Sequence, residues 1–340
     1  MAKNYTPIPC YVETLPGIEE VAWLEIRARF PQDDFGAFLF AKDERGVVYF
    51  THDGPLQDLF SLRTITGAFL AAAYIEKASR GYRDLRRLRE RLAGSGDLGR
   101  AVNSYTRLRR RQPHTYRLVV RKYGRHEYDR NDLRQAMVRT VETLYPGWQR
   151  VQKDADVELW ANLFGSSLLV GLRLRGAGPQ VDEGRLPAPL AATLVLLTEP
   201  AGDDVFLDPL CEDGATLAER ARSGPGRLLL GGEQTAAALA AAQENIGERV
   251  ALVRWDAARL PLAASSAAKI ATRFPPSPAV DGWLAEMARV LRPQGRAVVL
   301  TREYELFKDV IRRHPSLQIR GGYSTIVKGE WARIYIVEKV

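Results

Sequence analysis

Only two cysteines, Cys10 and Cys211, occur in 340 residues. Neither a disulfide framework nor a cysteine-built zinc site can be assembled from so few. No apolar run is long enough to span a bilayer, and the opening "MAKNYTPIPCYVETLPG" lacks the apolar stretch of a signal peptide. "AAALAAAQEN" (236–245) reads as a helix, too short and too polar-flanked for a membrane. Internal repeats and low-complexity tracts are missing as well. The expectation is a cytoplasmic, metal-free protein with enough chain for two or three cores. An apolar fraction of 46% with 26% charged residues is ordinary for such a protein.

Charge is present, but unevenly. Residues 1–180 hold 29 Lys and Arg against 21 Asp and Glu, whereas residues 181–340 hold 20 of each. The whole net charge of +8 therefore lies in the first half. A basic half joined to a neutral one suggests that one part meets a polyanion and the other does something else. The bland alternative is a solvated arginine-rich surface.

Along the chain, "YVETLPGIEEVAWLEIRARF" gives a strand, a Pro-Gly turn and a helix whose apolar face holds Ile18, Val21, Ala22, Leu24 and Ile26. "GVVYFTHDG" reads as a strand and "PLQDLFSLRTITGAFLAAAYI" as a helix running into another strand. Strand–helix–strand–helix in this length predicts a small α+β unit over 1–78. The arginine-dense segment that follows predicts a helix striped by Leu85, Leu88 and Leu92. Next come a strand at "TYRLVVRKYG", a helix at "RNDLRQAMVRTVETLYP" with Asn131 as its candidate cap, and a hairpin at "DVELWANLFGSSLLVGLRLRG". The Gly- and Pro-rich 176–189 is the candidate linker. Beyond it, five short apolar runs alternate with alanine-rich helical segments, the sequence form of a parallel sheet covered by helices. Two strands without an intervening helix end the chain, as an antiparallel pair would.

In doubly wound sheets a ligand sits at the carboxyl ends of the first strands. Four features reach that end in chain order. Asp208 closes the first strand and leads "DPLCEDGAT", in which Gly214 lets backbone approach a ligand at a helix start. Glu233 ends the second strand, where a carboxylate can accept both hydroxyls of a ribose. Asp256 follows the third, in reach of an adenine amino group. The fourth strand delivers "RFPPS". Singly, each acid is more often a solvated or capping residue; in this order they favour an adenosine-type ligand. The turn lacks both the Gly-x-x-x-x-Gly-Lys phosphate loop and the three glycines of a dinucleotide fingerprint, so a ligand without phosphate, S-adenosylmethionine, suits it better.

Over nearly its full length the chain resembles the THUMP-domain RNA methyltransferases, particularly those that methylate guanine N2 in tRNA. "YVETLPGIEEVAWLEI" and "GVVYFTHDGPLQDLFSLRTI" look like that family's ferredoxin-like N-terminal domain. "RLVVRKYGRHEYDRNDLRQAMVRTV" with the hairpin looks like its THUMP domain, and "LPAPLAATLVLLT" like the helix leading into its methyltransferase domain. "DPLCEDGATLAE" resembles the first S-adenosylmethionine motif and "RVLRPQGRAVVLT" the late strand. The resemblance implies a ferredoxin-like α+β domain (1–78), a THUMP domain (79–178) and a Rossmann-like class I methyltransferase domain (179–340). It also implies S-adenosylmethionine as cofactor and tRNA as partner.

Two departures from the family pattern stand at the site. Where the family's first motif reads Asp-Pro-x-Cys-Gly-x-Gly, the first of those glycines is Glu212 here. Its charge would repel a methionine carboxylate unless it turns outward. The family's catalytic loop reads Asn or Asp, two prolines, then an aromatic; here it reads Phe274, Pro275, Pro276, Ser277. The prolines rigidify a loop of the right architecture. In an active amino methyltransferase, the acceptor aligns the exocyclic amine and the aromatic stacks on the flipped base. Phe274 cannot accept and Ser277 cannot stack. Either Phe274 has taken over stacking while another group accepts, or the site is dead. Two readings stay open: guanine-N2 methylation, or a pseudo-methyltransferase that binds structured RNA. A small-molecule methyltransferase is a third, which the basic first half disfavours.

The candidate RNA-binding set is Arg121, Lys122 and Arg125 at the end of "RKYGR", Arg134 and Arg139 on the following helix, and Arg173 and Arg175 on the hairpin. Such a platform reads phosphates and A-form shape rather than sequence.

Overall fold

The computed structural model describes residues 5–41, 44–77, 81–82, 85, 90, 92, 94, 96–176, 185–274 and 280–340. The chain divides into two units, 1–14 with 23–178, and 15–22 with 179–340. Leu88, most of the arginine-dense segment around it, and the core of the candidate linker lie outside the described residues.

The first unit is built on an eight-stranded sheet. Its strands are β1 (Ile8–Thr14), β2 (Asp34–Ala41), β3 (Arg45–His52), β4 (Gly67–Ile75), β5 (Thr115–Tyr123), β6 (Gln149–Arg150), β7 (Val157–Phe164) and β8 (Ser167–Arg175). They lie in the order β2-β3-β1-β4-β8-β7-β5-β6. All neighbours are antiparallel except β5, which is parallel to both β6 and β7. The antiparallel pairing of β4 with β8 joins strands from either side of residue 78 into one sheet. The helices are α1 (Glu19–Arg29), whose residues 19–22 count with the second unit, α2 (Asp97–Arg109) and α3 (Arg130–Leu144).

Several local expectations are corrected here. Val21, Ala22 and Ile26 on α1, and Ile18 just before it, are buried as a core face should be, but Leu24 is exposed. The expected second helix shrinks to a 3₁₀ turn over Leu56–Ser61 before β4. β2 was not legible, because "DFGAFLFA" neither alternates nor buries evenly, leaving Phe35 and Phe40 exposed. Asn131 does not cap α3. Asp129 does, in a reciprocal capping box with Asp132 that satisfies two backbone donors.

One buried pair in this unit carries a pH prediction. His52 Nδ1 meets Asp33 Oδ2 at 2.8 Å and its Nε2 meets the Pro55 carbonyl at 3.2 Å, so both ring nitrogens face acceptors and the imidazolium satisfies them best. Burial alone would lower the His52 pKa, but the Asp33 hydrogen bond and charge, then the Pro55 carbonyl, hold it above its ordinary 6.5. The stabilisation is therefore fully present below the unfolded value and is lost as pH rises through the raised folded value. Urea midpoints are expected to decline as pH climbs past about 6.5, and Asp33→Asn should flatten that decline. An equal slope in both proteins would assign it to other groups.

The second unit holds β9 (Val205–Asp208), β10 (Leu228–Glu233), β11 (Val250–Arg254), β12 (Ala267–Arg273), β13 (Leu291–Thr301), β14 (Leu317–Val327) and β15 (Glu330–Lys339). The order is β11-β10-β9-β12-β13-β15-β14. Five strands are parallel, and β15 runs antiparallel to both β13 and β14, as the missing last helix implied. Strand order reverses between β9 and β12, where open α/β sheets place their ligand crevice.

Alternate strand residues feed two cores, as parallel strands covered on both faces require. Phe206, Ala271, Val298 and Ile334 pack with α4 (Ala188–Leu197), α5 (Ala215–Arg222) and α6 (Ala236–Asn245). Leu207, Ile270, Val299 and Tyr335 pack with α7 (Val280–Val290) and α8 (Tyr304–Ile311). Ile18 and Val21, early in the chain, are fully buried in the first of these cores beside Leu190 and Leu194. Gly17 makes that possible: its φ is +84°, and a Cβ there would stand 1.9 Å from the Ser324 carbonyl oxygen.

Candidate functional site

The crevice beside the β9/β12 reversal opens as a cavity of about 1000 Å³. Leu210 and Glu212 from the turn after β9, Glu233 from the end of β10, Arg273 and Phe274 from the end of β12, and Trp331 from β15 line it. The turn from Pro209 to Gly214 is pinned by backbone and ring. Cys211 N–H donates to the Gly232 carbonyl at 3.2 Å, and Trp255 Nε1–H to the Pro209 carbonyl at 3.0 Å. Gly214 begins α5 at φ +73°, where a Cβ would meet Ile246 at 2.9 Å, so glycine is demanded by packing as well as by dihedral.

Asp208 does not reach the cavity wall. It is buried, accepting from Thr216 Oγ1 and from the Leu210 N–H at 3.3 Å. Burial pushes its carboxyl up to about 6, against the lowering effect of hydrogen bonds from Thr216, Thr272 and Leu210. Its role is to tie β9, the turn and α5 together. Glu233 is half-buried and lines the cavity, accepting from the Glu212 N–H at 2.9 Å and the Gln234 N–H at 3.2 Å. Burial raises its pKa, partly opposed by the Gln234 backbone. A carboxylate here keeps lone pairs toward the cavity for hydroxyl donors. Asp256 is exposed, is not among the lining residues, and accepts from the Ala258 N–H at 2.9 Å, closing its own turn.

Glu212 does not turn away. It holds a left-handed φ of +45°, the conformation glycine adopts freely, and its carboxylate pairs with the Arg273 guanidinium. Burial lowers the Arg273 pKa, while the charge of Asp208 raises it. A second pair, Arg302 with Glu330, lies on the same lining. With Arg185, Lys328, Glu233 and Glu303 the cavity carries four cations and four carboxylates, so it offers no net charge to a zwitterionic amino-acid tail. The residues present suit the ribose end of an adenosine ligand through Glu233. They do not suit a methionine carboxylate, because Glu212 already holds the guanidinium.

Phe274 is a core residue, only 6% exposed. Its ring meets Trp283 and Phe307 edge to face, each at 5.3 Å, and its N–H donates to the Leu300 carbonyl at 2.8 Å. The ring borders the cavity but is packed as part of the core. Pro275, Pro276 and Ser277 lie outside the described residues.

The basic candidates of the first unit part into two groups. Arg121 pairs with Glu13 at 3.0 Å and lies 4.1 Å over the Trp160 ring. Arg173 pairs with Glu158 at 2.9 Å, and Arg175 donates to the Phe60 and Leu62 carbonyls. These three are structural in large part. Arg125 and Arg139 are exposed, and Lys122 Nζ reaches the Gly124 carbonyl at 3.3 Å. Arg134 lines a second cavity with Arg117, Arg130 and Arg150, three arginines the sequence did not single out. In the first cavity the sequence likewise did not single out Arg185, Arg302, Lys328, Glu330 or Arg273, and of these Arg273, just ahead of "FPP" at a strand end, carried a signal.

No family model matches the chain. The mouse tRNA (guanine(6)-N(2))-methyltransferase THUMP3 is 28% identical over 200 residues, covering 49% of this chain and 40% of that protein. The mouse U6 snRNA (guanine-N(2))-methyltransferase THUMPD2 is 25% identical over 172 residues, 46% of this chain and 33% of its own length. The chain is a relative of the THUMP-type RNA methyltransferases. It spans less than half the length of the curated relatives it matches. In fold it is similar to TrmN from Thermus thermophilus, with a TM-score of 0.74 at 20% identity, covering 98% of this chain and all of that one. SMU.472, solved in complex with SAH, gives 0.66 at 13% identity over 97% of each chain. The fold is thus a mixed α/β one shared with methyltransferases. Among the described residues no helix is long and apolar enough to cross a membrane.

Proposed function

We propose that the chain is a cytoplasmic, structured-RNA-binding member of the THUMP methyltransferase group, with tRNA as its expected partner, in which methyl transfer is lost or nearly lost. The observation that carries this is Phe274: where an acceptor for the guanine amine belongs, the chain builds an aromatic into its core against Trp283 and Phe307. The Glu212–Arg273 pair supports the same reading by occupying the amino-acid end of the cavity, leaving S-adenosylmethionine at most weakly bound. The proposed domains are a ferredoxin-like one over 1–78, a THUMP one over 79–178 and a methyltransferase one over 179–340. The names of the curated relatives favour a second reading, S-adenosylmethionine-dependent guanine-N2 methylation of tRNA. Labelled-methyl transfer to unmodified tRNA, run beside a binding titration on the same RNA, separates them. Binding without transfer is expected; transfer at an ordinary rate overturns the proposal.

Affinity for tRNA should fall steeply with salt, since phosphate contacts release counterions. Reversing Arg125 and Arg139, the exposed members of the candidate set, is expected to weaken binding tenfold or more, about 1.4 kcal/mol, with a shallower salt slope. The full chain is the right reagent: cutting near residue 180 would strip Ile18 and Val21 from the core in which they are buried. An unchanged salt slope in the double variant would remove these residues from the RNA surface.

A further inference from the structure

In the first unit a cavity of about 480 Å³ opens between β5, the first turns of α3 and the segment 150–152. Arg117, Arg121, Arg130, Arg134 and Arg150 converge on it with Asn131, Gln135 and Gln152, and no carboxylate lines it. Two of the five are compensated from outside: Arg117 by Glu158 at 3.2 Å and Arg121 by Glu13 at 3.0 Å. Asp129 and Asp132, beside Arg130 in sequence, are engaged in the capping box, and Asp132 also accepts from Tyr82. Arg130, Arg134 and Arg150 pair with no acid among the described residues. The Nε of Arg134 is moreover buried with no hydrogen-bond partner. A buried guanidinium donor left open beside two more uncompensated cations is costly unless a ligand completes it.

We infer that this cavity is a binding site for a phosphomonoester, the terminal phosphate of a nucleotide. Three uncompensated positive charges match a dianion better than the single charge of an internal phosphodiester. Guanidinium groups present paired donors suited to phosphate oxygens, and a monoester has three such oxygens to enclose. An internal phosphate carries chain on both sides and fits an open stripe of cations, not a concave one. Asn131, Gln135 and Gln152 supply both donors and acceptors for the sugar or base that follows the phosphate. The volume lies within the range of pockets that hold a molecule of nucleotide size. Two sources present this chemistry, the 5′ end of an RNA and a free nucleotide. The first rests on the RNA-binding reading, and the second does not.

The test uses the full chain with one tRNA transcript prepared with either a 5′-phosphate or a 5′-hydroxyl, and calorimetry with adenosine 5′-monophosphate. The 5′-phosphate form is expected to bind at least tenfold more tightly, and Arg130→Gln with Arg150→Gln should erase that ratio in a protein whose melting curve confirms folding. Monophosphate binding without preference between the RNAs supports the cavity and assigns it to a free nucleotide. Monophosphate binding by a protein that takes up neither RNA also supports it, while removing the RNA reading. Equal affinity for both RNAs with no monophosphate binding overturns it and leaves RNA binding intact. Since the decisive comparison is made on the native protein, a variant that fails to fold does not shelter the proposal.

Discussion

Phe274→Ala is expected to destabilise the protein by about 3–5 kcal/mol, the usual consequence of deleting a buried phenyl ring and leaving a cavity. The ring is 6% exposed and packs edge to face on Trp283 and Phe307, while Phe307 in turn stacks on Tyr335 at 4.8 Å. Removing it unseats a chain of aromatics that joins α7, α8 and β15. Urea unfolding followed by tryptophan fluorescence reads the loss. Aromatic geometry contributes to it, at about 0.5–1.5 kcal/mol per pair beyond burial. The same physics makes simple restoration unpromising: Phe274→Asn would set an amide into the apolar cluster of Trp283, Phe307 and Tyr335, costing at least as much. The opposite pattern is recognisable. Unchanged stability together with lost methyl transfer would make Phe274 a base-stacking group and return the chain to the active enzymes.

Glu212→Gly is expected to create cofactor binding that the native protein nearly lacks. In the native chain S-adenosylhomocysteine should shift the melting temperature little, because Glu212 already holds Arg273. With glycine at 212 the left-handed φ of +45° costs nothing, whereas a side chain there pays about 1–2 kcal/mol. The ligand carboxylate can then take the place of the lost one on Arg273. At a concentration of about one hundred times Kd, a ligand that binds only the folded state adds about 2.7 kcal/mol, which is on the order of 5–10 °C for a unit of this size. A large shift already present in the native protein would refute the blocked site. No shift in either protein would remove the adenosine reading, Glu233 included.

Much of this architecture was legible. Alternating short apolar runs and alanine-rich segments announced the parallel sheet, and its five strands fall on the runs "DVFLDPLC", "GRLLLGGE", "RVALVRWDA", "AKIATRF" and "GRAVVLT", the last strand beginning four residues earlier, at Leu291. β7 and β8 form the hairpin read around Gly165-Ser166, paired from Phe164 opposite Ser167. Capping at α3 was misread because Asn131 and Asp129 are both good caps, and only the reach of each side chain to a backbone donor separates them. β2 escaped because its pattern is that of an edge strand with aromatic residues on the open side.

The site was legible in its types and not in its contacts. That Glu212 stands where glycine is usual, and that Phe274 cannot accept a hydrogen bond, follow from residue identity alone. Which way each side chain goes does not. Glu212 meets a guanidinium 61 positions further along the chain, because parallel pairing of β9 with β12 brings the turn after β9 and the end of β12 to one crevice. Phe274 turns inward because α7 and α8 present Trp283 and Phe307 to it, an apolar site that a phenyl ring gains by filling.

By itself the sequence determined the parallel sheet, the basic first half and the loss of the usual acceptor, since each is a matter of periodicity, charge or residue type. Only the tertiary structure decided that Asp208 is a buried tie, that Asp256 closes its own turn, and that Arg121, Arg173 and Arg175 are largely spent within the fold. It also decided that five arginines from β5, α3 and the segment after it surround one cavity. The reason is that a charge belongs to its residue, whereas its compensation depends on neighbours that arrive from elsewhere in the chain, 15 positions away for Arg173 and 108 for Arg121.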